Sequence, residues 1–172
     1  ADIRLFDSRS ASIGQSLLVQ EAAQMARDGA DIDAIWARLE AMRDGMAIYF
    51  LVDTLEYLAR GGRIGRASHL MGSVLEIKPI LTLRDGVVEA FARHRTRRRA
   101  LSALRDLALE GARGKRGLRL AVAHAACEET GRELADDLCE MLKPEAFLFC
   151  ELGPGLGVHT GPGALGVGWY AE

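Results

Sequence analysis

The chain has 172 residues, 49% of them hydrophobic, and a formal net charge of −2 at pH 7. That composition excludes a disordered chain, and the near-neutral balance removes any general attraction to nucleic acid or anionic membrane. The longest apolar runs, such as MAIYFLV at 46–52, fall short of the ~18 to 20 residues that a membrane-spanning helix needs.

In chain order, IRLFD at 3–7 reads as a short strand. From Ile13 to Arg27, Leu17, Leu18, Ala22 and Met25 recur at helical spacing, with Gly29 as the stop. A second helix starts behind Asp31 as N-cap, carries Ile32, Ile35, Trp36, Leu39 and Met42 on one face, and stops at Gly45. MAIYFLV is a continuous apolar run, as in a strand buried on both faces. Asp53 is placed to cap the helix TLEYLAR. Strand, helix, helix, strand in this order predicts parallel α/β packing.

GGRIGR at 61–66 breaks the pattern and marks a hinge, dividing the chain into units at 1–62 and 63–172. ASHLMGSVL at 67–75 is predicted helical and EIKPILTL at 76–83 a strand. The Asp85-Gly86 turn then makes a hairpin with VVEAF. A helix runs from the basic residues through Leu109, LRLAVAHA is a strand, 128–142 a helix and AFLFCEL a strand. GVGWYA is the last strand.

The segment 151–168 holds seven glycines and two prolines, more than a connector needs. It reads as a loop bringing main chain and His159 close to another group. A histidine in such a setting can donate a hydrogen bond to a carboxylate, assisted by backbone N–H groups. Arg63, between glycines, can offer its guanidinium to a carboxylate or phosphate. GGRIG follows a helix, so it is neither a dinucleotide nor a P-loop motif. RHRTRRR at 93–99 puts cations at a helix N-terminus, against the macrodipole, which points to an anionic partner. His124 and Cys127 form an HxxC pair without the second pair that zinc requires. No metal, cofactor or catalytic nucleophile is expected; Ser8, Ser10 and Ser12 have no base beside them. Three cysteines with no CxxC pair read as reduced thiols, and no signal peptide is visible, so a cytoplasmic location is expected. The start at ADIRLFDS, without methionine, reads as that of a fragment or processed piece.

Four segments in this order, DSRSASIG, YFLVDTLEYLARGGRIGRASHLMGSVLEIKPILTLRDG, RHRTRRRAL and ELGPGLGVHTGPGALG, resemble the DegV family of bacterial fatty-acid-binding proteins. The resemblance implies a two-domain α/β fold: an incomplete parallel α/β first domain, its amino-terminal portion outside this sequence, and a second α/β domain on a mixed sheet. It implies a non-enzymatic subunit that buries one long-chain fatty acid between domains. That subunit presents the carboxylate to a separate ATP-dependent fatty acid kinase, whose acyl phosphate enters phospholipid synthesis. His159 and Thr160 would bind the carboxylate, and Arg63 and Arg95 would meet the kinase. A phosphate-handling enzyme using Arg63, Arg95 and His159 is the alternative, and a nucleic-acid binder through residues 93–99 a third.

Overall fold

The computed structural model describes residues 3–72 and 77–172. One six-stranded mixed sheet organises them. Its strands are β1 (Ala47–Leu51), β2 (Lys78–Arg84), β3 (Val87–His94), β4 (Arg119–His124), β5 (Ala146–Glu151) and β6 (Leu165–Tyr170), in the spatial order β3-β2-β1-β6-β4-β5. Only β4 and β5 are parallel neighbours, joined by a crossover helix; every other pair is antiparallel. The parallel packing expected around β1 is therefore corrected: β1 runs antiparallel to both β2 and β6. The sheet is also continuous across the expected boundary at 62/63, since β1 precedes that point and both its partners follow it.

The helices are α1 (Ser12–Arg27), α2 (Ile32–Gly45), α3 (Glu56–Arg60), α4 (Arg97–Ala112), α5 (Glu128–Leu142) and α6 (Pro154–Thr160). Helices α4 and α5 cover one face of the sheet, where Leu104, Ala108, Leu134 and Leu138 pack on Leu51, Leu120, Val122 and Val167. On the opposite face α1 and α2 cover β4 and β6 through Ile13, Leu17, Leu39 and Met42. The β2–β3 end of that face is covered separately, by α3 and a 3-10 turn over Gly65–Leu70. Two covers on one face leave a gap between them.

Local chemistry accounts for most ends. Asp31 accepts from Ala34 N at 2.8 Å, as its N-cap role predicts. Thr96 does the same for Arg99 N at 3.3 Å and starts α4 inside the basic run. Three expectations are corrected. IRLFD forms no strand: Ile3 and Leu5 are exposed, and no described strand pairs with them. Asp53 does not cap α3. Its carboxylate accepts from Arg97 Nη1 at 2.9 Å and its carbonyl from Lys78 Nζ at 2.9 Å, so tertiary cations claim it first. The predicted helix at 67–75 is a 3-10 turn ending at Leu70, and its last three residues lie outside the described ones.

One charged group is buried under α1. Glu21, 7% exposed, accepts from Arg38 Nε of α2 at 2.8 Å and from Arg119 Nε of β4 at 2.6 Å. Arg38 also donates to Glu172 at 2.8 Å and lies over the Tyr170 ring. Burial works against the Arg38 charge, but these carboxylate hydrogen bonds outweigh it and hold its pKa raised.

Candidate functional site

The gap on the sheet face is a cavity of about 220 Å³. Its floor is Ile48 and Phe50 of β1, Gly166 of β6, Ala123 of β4 and Leu83 of β2. These side chains share a face because registered partners in antiparallel strands point the same way. The start of α1, with Ser12 and Ile13, forms one wall, and Leu58 of α3 and Leu156 of α6 form the other. The lining is therefore apolar along most of its length. Its polar side chains are Ser12, Arg63, His159 and Thr160.

Residues 154–160 form a helix, not the expected loop. Pro154 occupies its first turn, where a missing N–H costs nothing, and Gly161 ends it at φ 75. This helix is keyed to α3 by two reciprocal contacts. A Cβ at Gly61 would overlap the His159 ring at Nδ1, and a Cβ at Gly161 would overlap the Tyr57 ring. Each ring thus lies against the glycine that ends the other helix. Gly61 also accepts from Arg63 Nη1 at 3.0 Å through its carbonyl. One residue therefore holds both Arg63 and His159 at the cavity. His159 Nδ1 is buried without a hydrogen-bond partner among the described residues. The Thr160 hydroxyl donates back to Leu156 O at 3.3 Å, leaving its oxygen lone pairs free.

Of the residues expected to act, Arg63, His159 and Thr160 come together here. Arg95 does not: it is exposed in the turn between β3 and α4. Sequence reasoning missed Gly61, Phe50 and Gly166. Only the GG pair after α3 signalled a close approach, while Phe50 and Gly166 were indistinguishable from ordinary strand residues.

The remaining candidates resolve into structural roles. The His124 ring packs on Phe149 at 5.2 Å between centroids, and Cys127 Sγ donates to Ala164 O at 3.4 Å. Among the described residues no group of three or more His, Cys, Asp or Glu side chains could hold a metal ion, and no helix is long and apolar enough to cross a membrane. Burial pushes the Cys139 and Cys150 thiols up, with Asp136 adding to it at Cys139, so less thiolate is present at pH 8 than in an unfolded chain. Both should alkylate more slowly with iodoacetamide at pH 8 when native than in urea. Peptide mass mapping after timed labelling checks this, and equal rates would contradict it.

A family model described as "Uncharacterised protein, DegV family" matches residues 1–172. A DegV domain-containing protein of Clostridium acetobutylicum is 36% identical over 173 residues, covering 100% of this chain and 60% of that protein. Among solved structures, the chain superposes with TM-score 0.90 and 34% identity on a DegV family protein of Thermus thermophilus described for its fatty acid binding. That match covers 97% of this chain and 60% of the other. DegV of Bacillus subtilis, described as a fatty acid binding protein, gives TM-score 0.88 and 34% identity over 99% of this chain and 61% of its own. The chain spans about 60% of the length of the curated relatives it matches.

Proposed function

The chain belongs to the DegV family, and from that premise we propose that its cavity takes the hydrocarbon of a long-chain fatty acid and holds the carboxylate at Arg63, His159 and Thr160. The carrying observation is the lining itself, apolar throughout except for a few side chains that include a guanidinium and an imidazole. Burying acyl methylenes contributes ~0.8 kcal/mol each, so the hydrocarbon alone can supply most of the affinity. A carboxylate leaving water needs hydrogen bonds in return. With Nδ1 turned toward Gly61, Nε2 is the His159 nitrogen left to donate. Arg63 supplies the opposite charge, and Thr160 can turn its hydroxyl from Leu156 O to the ligand.

The same proposal gives this protein a binding role, with a separate ATP-dependent fatty acid kinase acting on the presented carboxylate. The supporting feature is charge. Arg93, Arg95, Arg98 and Arg99 are exposed and have no ion-pair partner among the described residues, whereas Arg97 is taken by Asp53. Arg63, exposed at the cavity, and Arg95 are the residues assigned to that contact.

Native mass spectrometry of freshly purified full-length protein, with lipid extraction of the same sample, tests the binding role. The expected result is about one fatty acid per chain, as one cavity with one charged end allows. Empty protein that also fails to take up added palmitate or oleate would overturn it.

A further inference from the structure

Resting on that reading, we infer that Gly166 determines how much acyl chain the cavity accepts. Glycine weakens a strand interior, because it packs nothing and loses the most backbone freedom on folding. Its presence within β6, a central strand, therefore needs a reason. The usual ones fail at this position. The β1–β6 and β4–β6 registers run unbroken through it, so it is not a bulge. Its φ is not in the left-handed region that favours glycine. A Cβ built there would meet Ile13 Cδ1 at 3.6 Å, Phe50 Cβ at 3.6 Å and Tyr49 O at 3.7 Å, all ordinary van der Waals contacts. The protein has room for a side chain that the sequence withholds.

Gly168, two residues on and on the same face, makes the contrast. A Cβ there would approach Ile13 Cδ1 at 3.2 Å and Ala47 O at 3.5 Å, so Ile13 packing accounts for it. Gly168 does not line the cavity, whereas Gly166 does. Across the sheet at this level the row is Phe50, Gly166, Ala123: a large side chain, none, and a methyl. The missing side chain makes the trough in the floor, and main chain lies bare where an acyl chain would rest. The one main-chain atom among the three nearest a Cβ at Gly166 is Tyr49 O of the paired strand, at an ordinary 3.7 Å, so no second backbone needs the space. Close approach of a ligand is the use that remains. A side chain at 166 would fill the trough and displace the chain's methylenes.

The test is Gly166→Val in the full-length protein, titrated with decanoate, dodecanoate, palmitate and oleate. Valine suits a strand, so the fold should survive. The expected result is near-unchanged binding of decanoate and palmitate binding weaker by at least about tenfold, as displacement of two or more methylenes implies. Equal weakening of every acid, or none, would overturn the inference. If the valine protein does not fold, Gly166→Ala, whose methyl meets only ordinary contacts, decides it in the same assay by the same length dependence. Unsubstituted protein that binds none of the acids would instead overturn the fatty-acid reading.

Discussion

Gly61→Ala is expected to weaken fatty acid binding by about tenfold to a hundredfold, the loss of one hydrogen bond to a charged group. Gly61 has φ −78 and ψ −3, which alanine adopts freely, so the backbone is not strained by the change. The new methyl would instead overlap His159 at Nδ1 and drive the imidazole from its place against α3. Arg63 keeps its hydrogen bond to the Gly61 carbonyl, because that acceptor is unaltered. The effect should therefore pass through His159 alone. Palmitate titration of Gly61→Ala, His159→Ala and the double variant checks this, since residues acting as one unit are not additive. The double variant should bind no worse than His159→Ala. A further loss in the double variant, or full affinity in Gly61→Ala, would refute the positioning role.

Glu21→Ala is expected to cost about 2 to 4 kcal/mol of stability, at or below the range for breaking a buried ion pair. Two guanidiniums converge on this carboxylate, from α2 and from β4, and its removal leaves both without their main acceptor. Their side chains are 21% and 24% exposed, so water can reach them and soften the loss. Urea unfolding of the full-length protein measures it. Glu21→Gln keeps an acceptor and should lose less. Replacing Glu21, Arg38 and Arg119 together by Leu, Met and Leu should recover much of the loss, because no unpaired buried charge then remains and the Glu172 carboxylate is largely in water. A loss under about 0.5 kcal/mol for Glu21→Ala, typical of exposed pairs, would show the cluster to be ornamental.

Much of the architecture follows from local signals. The Asp85-Gly86 turn between apolar runs specified the β2–β3 hairpin, and Asp31 specified the start of α2. Apolar periodicity identified α1 and α2. These features depend on residues a few positions apart. The failures share the opposite property. IRLFD has strand composition, yet a strand exists only where another pairs with it, and no described strand does. Asp53 precedes a helix in a capping position, but Lys78 and Arg97, brought over by β2 and α4, hold it instead. The glycines at 153–161 suggested an open loop, whereas Pro154 and packing against α3 sustain a short helix.

The candidate site divides in the same way. Arg63 and His159 stood out in the sequence because glycines beside a charged or titratable group are unusual, whereas Thr160 entered only through the family resemblance. That Arg63 and His159 share one cavity, with Gly61 holding both, could not be read there. Ninety-six positions separate them, and only the antiparallel insertion of β6 beside β1 brings α6 against α3. By itself the sequence determined most of the helices and strands, the hairpin and the candidate site residues, because propensity, capping and turn chemistry act over a few residues. Tertiary structure alone decided the strand order, the partners of Asp53 and Glu21, and the bare floor at Gly166. Each of those depends on which distant segment comes to lie beside a residue.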